Sequence, residues 1–189
     1  IHTKEFENES YLRNDGKRCY VCKGELFQKM SQWAGDHQIA LLAYGAIVED
    51  LLDPTRLGAV AAKEHGVIAP LQEARLTKAE IRQLSSRRNL PTADKASFAC
   101  LSSRFPTGTP VNLEDVARVE QAEEALRSLG FTQYRARHHG DLCRIEIDPE
   151  DFPRLLEPAT RQAIVRALSQ AGYRFITLDL VGYRAGSSA

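Results

Sequence analysis

The chain has 189 residues, of which 43% are hydrophobic and 26% charged, as in an ordinary soluble globular protein with room for one large or two small domains. Its 25 basic and 25 acidic residues balance, which argues against a nucleic-acid or membrane-surface partner, and no apolar run reaches membrane-spanning length. Four cysteines without a signal-peptide pattern predict a reducing, cytoplasmic setting with free thiols or metal ligands rather than disulfides.

An early pair of cysteines, Cys19 and Cys22, has the C-x-x-C spacing and precedes a helical pattern. A single such pair is a weak signal for zinc or for a redox site. It is equally typical of a helix N-terminus that carries two partly buried thiols.

The first half of the chain has the pattern of an α/β domain. Nearly continuous apolar residues over His37–Tyr44 and Val67–Leu71 predict two parallel strands, the first buried on both faces. Helical spacing predicts a helix over Leu57–His65, and a capping box of Thr77 and Glu80 predicts another. Strand, helix, strand, helix is typical of a doubly wound α/β domain.

The segment Pro91–Thr109 shows neither the helical nor the strand period and is predicted to be a loop. It is long for a connection in a compact domain, and such loops are usually functional or disordered. The apolar side chains of Phe98, Ala99, Leu101 and Phe105 favour burial over disorder.

Cys100 lies in the middle of this loop between Lys95 and Arg104. Nearby cations lower the pKa of a thiol and favour the reactive thiolate. The residue types alone slightly favour a small buried cysteine that fills a gap in the packing.

The residues after the loop predict a small α+β domain. Asn112 has the character of a helix N-cap, and Gly130 that of a residue closing the helix. The domain boundaries are expected at 1–92, 93–110 for the cysteine loop, and 111–189. The predicted elements are a helix from about Leu113 to Leu129, a β-hairpin of Phe131–His138 and Cys143–Asp148, a helix from about Pro158 to Gln170, and a strand over Tyr173–Val181.

Two arginines of the predicted hairpin, Arg135 and Arg137, share one face because they are two residues apart. Two guanidinium groups on one face suit a phosphate or a carboxylate. By residue type alone they are more often surface charges, and the same holds for Glu123 and Glu146.

The run ADKASFACLSSR at 93–104, followed by FPTGT, resembles the hallmark segment of the LarE family. RCYVCK at 18–23, YRARHH at 134–139 and RIEI at 144–147 resemble family segments as well, so the resemblance extends over most of the chain. LarE proteins are ATP-dependent sulfur transferases that help to make the nickel-pincer nucleotide cofactor of lactate racemase.

The resemblance implies a PP-loop ATP pyrophosphatase fold, here an incomplete doubly wound parallel sheet followed by the α+β domain. It implies that ATP adenylates a substrate carboxylate, that a protein cysteine gives up its sulfur, and that a thiocarboxylate forms. The expected partner is a small-molecule nucleotide substrate, with no nucleic acid and no membrane, and the protein is expected to be a homo-oligomer. The implied site residues are Cys100 as the catalytic sulfur donor, Arg135, Arg137 and Arg104 as substrate or phosphate ligands, Glu123 and Glu146 as ligands of Mg²⁺ or Mn²⁺, and, as in some relatives, Cys19, Cys22 and Cys100 as thiols for an iron–sulfur cluster.

The chain departs from the family pattern in several places. The loop that begins at Gly45 has Ile47 where the family has Asn, and Leu57 where it has Pro, and Cys143 replaces a small alanine. The family's Ser-Gly-Gly-x-Asp-Ser loop, which binds pyrophosphate, does not occur, so the sequence is expected to be a fragment that cannot form the adenylate alone. Two alternatives stay open: another PP-loop enzyme, such as a tRNA thiolase or an amidating synthase, or a non-catalytic binding module.

Overall fold

The computed structural model of the chain describes residues 1–52, 57–95 and 98–184. The chain divides into two compact units, unit 1 of residues 1–95 and unit 2 of residues 96–189. The division falls inside the predicted cysteine loop of residues 93–110. Residues 53–56 of the loop that begins at Gly45 lie outside the described residues.

Unit 1 is mainly helical, and its predicted helices are confirmed. The capping box is present, since Glu80 N donates to Thr77 Oγ1 over 3.3 Å and Thr77 N donates to Glu80 Oε2 over 2.8 Å. The helices are α1 (Glu9–Leu12), α2 (Arg18–Asp36), α3 (Gly58–Glu64), α4 (Pro70–Glu73) and α5 (Lys78–Arg87), with 3₁₀ turns at Glu5–Glu7 and Val48–Leu52.

The core of unit 1 is small and forms where α2 packs on α3. Phe27 of α2 is buried against Ala61 and Ala62 of α3. Gly58 permits this approach, because a Cβ atom there would lie 3.0 Å from Lys23 Cγ. The two helices therefore pack closely through small side chains.

The prediction of two parallel strands in unit 1 is wrong, because the two segments do not form a sheet. In the described part of the unit, their pairing is a single parallel bridge between Ala43 and Ile68. Ile39 and Leu41 are 44% and 66% exposed, so the first apolar run is not buried on both faces. Pro70 begins helix α4 rather than continuing a strand, because proline fits the first turn of a helix. The mixed helix and strand content agrees with the predicted class, but the doubly wound sheet does not appear in these residues.

Unit 2 has the predicted order of helix, hairpin, helix and strand. Asn112 Oδ1 accepts from Asp115 N over 2.8 Å and caps the first helix, and Gly130 and Gly172 follow the two long helices with φ of 86° and 98°. Its elements are a 3₁₀ turn at Leu101–Arg104, α6 (Leu113–Ser128), β1 (Tyr134–His139), β2 (Leu142–Ile147), a 3₁₀ turn at Pro149–Asp151, α7 (Phe152–Leu156), α8 (Pro158–Gln170) and β3 (Phe175–Leu178).

The sheet of unit 2 has the order β1-β2-β3, with β1 antiparallel and β3 parallel to β2. Because side chains alternate along a strand, one face is apolar and the other is charged. The apolar face packs on α6 and α8 through residues such as Ile145, Leu126 and Leu168. The charged face carries Arg135 and Arg137 of β1 and Arg144 and Glu146 of β2.

Membrane insertion finds no support in the helices. Among those in the described ranges, none combines the length and the apolar content that a bilayer crossing requires.

We expect Leu126→Ala to lower the free energy of unfolding of unit 2 by about 2–5 kcal/mol, because it opens a cavity in the core. Leu113→Ala on the same helix is the matched control. Leu113, at the start of the helix, is 65% exposed, so its loss should change little. Denaturant unfolding followed by circular dichroism suits the comparison, since the single tryptophan, Trp33, lies in unit 1. Equal effects of the two substitutions would contradict the packing described.

Candidate functional site

The charged face of the sheet lies against the cysteine loop. Cys100 immediately precedes the 3₁₀ turn Leu101–Arg104, so the loop is more ordered than its lack of periodicity predicted. Phe105 is buried as expected, whereas Phe98 is exposed over 43% of its surface. The Cys100 side chain is also exposed, so the predicted gap-filling role in a core is wrong.

A buried ion pair fixes the end of the cysteine turn. The Arg104 guanidinium donates from Nε to Glu123 Oε1 over 2.6 Å and from Nη2 to Glu123 Oε2 over 2.8 Å. Glu123 Oε1 also accepts from the backbone N–H of Ala136 over 3.1 Å. Since β1 is an edge strand, the carboxylate satisfies a backbone donor that would otherwise be unpaired. One carboxylate thus joins α6, the sheet edge and the cysteine turn.

The remaining donor group of Arg104 holds the backbone around Cys100. Its Nη1 lies 3.2 Å from the carbonyl oxygen of Ala99, 3.3 Å from that of Cys100 and 2.9 Å from Ser103 Oγ. Ser103 Oγ itself donates to the Cys100 carbonyl over 2.7 Å. Arg104 was predicted to bind substrate, but in this arrangement it acts on Cys100 through the loop backbone.

A second buried pair lies on the sheet itself. Arg137 donates from Nε to Glu146 Oε1 over 3.0 Å and from Nη2 to Glu146 Oε2 over 3.2 Å. Its Nη1 donates to the Ser103 carbonyl over 2.8 Å. The interpretation of Glu123, Glu146 and Arg137 as solvated surface charges is therefore wrong, since all three are buried. The sequence could not show this because each partner comes from a different element.

Arg135 differs from its two neighbours, because no carboxylate of the described residues pairs with it. Its Nη1 donates to the carbonyl of Tyr134 and its Nη2 to the hydroxyl of Tyr183, both over 2.9 Å. Its Cζ lies 4.7 Å from the ring centre of Tyr183 and 5.7 Å from that of Phe98. Burial, and then the charge of Arg104, lower the pKa of Arg135. A guanidinium that is only 9% exposed thus has hydrogen bonds to neutral groups alone.

The charges of this face do not cancel. Arg144 bridges Glu146 and Asp179, with contacts of 3.2 and 3.4 Å. Arg104, Arg137 and Arg144 therefore share three carboxylates, those of Glu123, Glu146 and Asp179. Arg135 is the fourth arginine, and it has no carboxylate partner within the described ranges. Burial, and then the charges of Arg144 and Arg137, lower the pKa of the neighbouring His139.

The two glutamates do not fit the predicted metal site. Each already places both oxygens on a guanidinium, and a divalent cation there would also be repelled by that arginine. Within the described ranges there is no group of three His, Cys, Asp or Glu side chains that could hold a metal ion.

The thiols fall into two classes. Cys19 and Cys22 lie in the first turns of α2, the first exposed and the second partly buried. Burial, and then the charge of Glu123, raise the pKa of Cys143 to about 12, so its thiol stays protonated at neutral pH. Unit 1 contains two cysteines and unit 2 one accessible thiol, so neither unit by itself has the three ligands that an iron–sulfur cluster needs.

Unit 1 contains a cavity of about 560 Å³ at the carboxyl side of its parallel bridge. Its lining includes Tyr44, Asp50 and Lys63. Burial, and then the charge of Asp50, raise the pKa of Tyr44. The loop after Gly45 thus borders this cavity through Asp50 and Leu51.

Unit 2 thus brings together six of the predicted residues, Cys100, Arg104, Glu123, Arg135, Arg137 and Glu146. Sequence reasoning missed Ser103, Phe98 and Tyr183, which complete the arrangement.

No protein-family model matches the chain. An uncharacterized protein of Synechocystis is 37% identical over 190 residues, which cover 98% of this chain and 69% of that protein. The pyridinium-3,5-bisthiocarboxylic acid mononucleotide synthase of Lactiplantibacillus plantarum is 32% identical over 185 residues, which cover 97% of this chain and 66% of the synthase. The chain belongs to the LarE family. An uncharacterized protein of Methanocaldococcus jannaschii is 23% identical over 185 residues, which cover 98% of this chain and 71% of that protein. The chain spans about two thirds of the length of these three relatives. The named one is a synthase, which is an enzyme of the sulfur-transfer cofactor pathway.

We expect Glu123→Gln to lower the free energy of unfolding by about 3–5 kcal/mol, because it leaves the Arg104 guanidinium buried without its counter-charge. Glu124→Gln is the matched control on the next residue, since Glu124 pairs with Arg127 at the surface and should matter little. Replacing both partners, with Arg104→Met and Glu123→Leu, should recover much of the loss. Denaturant unfolding measures all three, and no difference between Glu123→Gln and Glu124→Gln would contradict the buried pair.

Proposed function

We propose that the chain is the sulfur-donating part of an ATP-dependent enzyme that converts a carboxylate of a pyridinium mononucleotide into a thiocarboxylate. Kinship with the named synthase supports the reaction class. The observation that carries the proposal is Arg104, which is paired with Glu123 and holds the backbone of an exposed Cys100. Two buried ion pairs fix the loop while the Cys100 thiol stays exposed. This arrangement favours a reactive cysteine over one that only fills space in the packing.

Cys100 has the position that a sulfur donor needs. The residue has an extended backbone, with φ of −60° and ψ of 151°, at the start of the 3₁₀ turn. Its carbonyl is held by Arg104 and by Ser103, so the backbone is restrained on one side while the side chain stays accessible. Positioning a nucleophile in this way reduces the entropy lost in reaching the transition state.

The chemistry takes three steps in this proposal. ATP first converts the substrate carboxylate into an acyl-adenylate and releases pyrophosphate. The Cys100 thiolate then attacks the acyl carbon, forming a thioester as AMP leaves. A base next removes the Cα proton of Cys100, the electron pair forms the Cα=Cβ double bond, and the Cβ–S bond breaks. The sulfur leaves as the thiocarboxylate, and dehydroalanine remains in the chain.

Arg135 is the side chain of this face best suited to the phosphate of a mononucleotide. Arg104 and Arg137 already direct two donors each to a carboxylate, so an anion would have to displace Glu123 or Glu146 to reach them. Arg135 has no such partner among the described residues. Phe98, two residues before Cys100, packs near the Arg135 guanidinium and so places the anion site beside the cysteine loop.

Glu123 and Glu146 do not fit the metal ion expected with ATP, because each already binds an arginine through both oxygens, so these two carboxylates are given no metal-binding role in the steps above. The cavity of unit 1 is the place we propose for the adenine nucleotide, since its volume of about 560 Å³ is bordered by the loop after Gly45. The contacts to the ATP phosphates are assigned to no residue of the described ranges.

We expect Cys100→Ala to abolish sulfur transfer in the full-length protein without loss of folding, because the side chain is exposed. After one turnover, intact-mass and peptide spectrometry of the wild-type protein should show that residue 100 has lost the elements of hydrogen sulfide. The double variant Cys19→Ala and Cys22→Ala is the control and should keep single-turnover transfer. If instead that variant were inactive and Cys100→Ala active, the sulfur would come from the other thiols and the proposal would fail.

We expect Arg135→Ala to weaken phosphate binding by roughly 1.5–3 kcal/mol, the contribution of a hydrogen bond to a charged group, or about 10- to 150-fold in Kd. Calorimetric titration of the full-length protein with inorganic phosphate measures the change. Arg127→Ala is the matched control, because Arg127 is an exposed arginine of the same unit that pairs with Glu124. Unchanged affinity in Arg135→Ala would remove the anion site from this residue.

A further inference from the structure

We propose that Tyr183 is a second ligand of the anion at Arg135, donating its hydroxyl proton to a phosphate oxygen. The inference rests on the proposed function and goes beyond it, because it adds a residue of the C-terminal segment to the site. It also defines the ligand as an anion whose oxygen atoms accept hydrogen bonds from a charged donor, the Arg135 guanidinium, and from a neutral donor, the Tyr183 hydroxyl.

The hydroxyl of Tyr183 is already oriented by Arg135. It accepts the Nη2 proton of Arg135 over 2.9 Å. A phenol both accepts and donates, so with its lone pair engaged by the guanidinium its own proton is left to donate. No acceptor for that proton occurs among the described residues. An anion that binds the Arg135 guanidinium from the same side can supply one.

The aromatic ring of Tyr183 restricts how an anion can approach Arg135. Its centre lies 4.7 Å from Arg135 Cζ, and the ring of Phe98 lies 5.7 Å from the same atom. Rings near the guanidinium stabilise its charge and shield its faces from water. The edge of the guanidinium, where the N–H groups point, is then the direction left for a ligand. That geometry matches the bidentate binding of phosphate by arginine.

The backbone places Tyr183 by a turn that requires glycine. Gly182 has φ of 76°, and a Cβ atom there would lie 2.8 Å from the Ile147 carbonyl oxygen and 2.9 Å from Pro149 Cγ. This close approach lets Tyr183 N donate to the Ile147 carbonyl over 2.7 Å at the end of β2. The residue after Gly182 is thereby anchored to the sheet beside Arg135. A tyrosine held by backbone contacts and a glycine turn is preorganised for its ligand.

The test is calorimetric titration of the full-length protein with inorganic phosphate in four forms: wild type, Tyr183→Phe, Arg135→Ala and Tyr173→Phe. Tyr183→Phe keeps the ring and removes only the hydroxyl. Tyr173→Phe is the matched control, because the Tyr173 hydroxyl lies 3.2 Å from His138 Nδ1, which belongs to the opposite, apolar face of the sheet. Melting temperatures without phosphate are recorded for each form, so that altered binding is separated from altered folding.

We expect Tyr183→Phe to weaken phosphate binding about five- to tenfold, in keeping with the loss of one hydrogen bond. Its phosphate-free melting temperature should fall modestly, because Arg135 Nη2 loses an acceptor, while the protein stays folded at the temperature of the titration. Tyr173→Phe should bind phosphate as the wild type does. If Arg135→Ala weakens binding and Tyr183→Phe does not, the role of Tyr183 is wrong and the anion site stands. If Arg135→Ala also binds normally, both proposals are wrong. Equal losses in Tyr183→Phe and Tyr173→Phe would show a general effect of removing a hydroxyl and would overturn the inference.

Gly182→Ala is the second variant, since it keeps the hydroxyl but forces the turn to shift. We expect it to weaken phosphate binding at least as much as Tyr183→Phe does. Wild-type affinity in Gly182→Ala, with a lowered melting temperature that shows the turn has moved, would contradict the placement of Tyr183 at the site.

Discussion

The arrangement of unit 2 depends on the buried pair between Arg104 and Glu123. Burying two charges is costly, and the attraction between them offsets that cost only when the geometry is good and the remaining polar atoms are satisfied. Both conditions hold, because the pair is bidentate and Glu123 also accepts the N–H of Ala136 on the edge strand. Hydrophobic side chains of similar size would stabilise the fold as well, so stability alone does not explain the pair. Its specific effect is to fix the carbonyl oxygens around Cys100.

The second pair, Arg137 with Glu146, repeats this arrangement and sets Arg135 apart. It too reaches the cysteine turn, through the Ser103 carbonyl. Arg104 and Arg137 are each compensated by a glutamate, whereas the mostly buried Arg135 has no carboxylate partner among the described residues. Burying a charge without a counter-charge costs free energy, and an anion bound by Arg135 would offset that cost. The same network that orders the backbone around Cys100, the proposed sulfur donor, therefore leaves Arg135 as the proposed place for a phosphate.

The sequence predicted unit 2 well because its elements carry local signals. Asn112, Gly130 and the two-residue period of the hairpin depend on neighbouring residues only. The burial of Glu123 could not be predicted in this way, since its partner is 19 positions away on an irregular turn. Family resemblance pointed to Glu123 and Arg104 but gave each a separate ligand role rather than one shared pair. Tyr183 was missed because it follows the last predicted strand, and its one signal was the glycine before it. In unit 1, the apolar run within His37–Tyr44 predicts a buried strand, but its pairing in the described residues is one bridge.

The most direct test of this account is a crystal structure of the full-length protein soaked with tungstate, a phosphate-like anion with strong anomalous scattering. The account predicts one tungstate in unit 2, bound at the edge of the Arg135 guanidinium within hydrogen-bonding distance of the Tyr183 hydroxyl. Arg104 should stay paired with Glu123, and Arg137 with Glu146. Tungstate bound by Arg104 or Arg137, with either glutamate displaced from its arginine, would contradict the division between arginines that position Cys100 and the arginine that binds the anion.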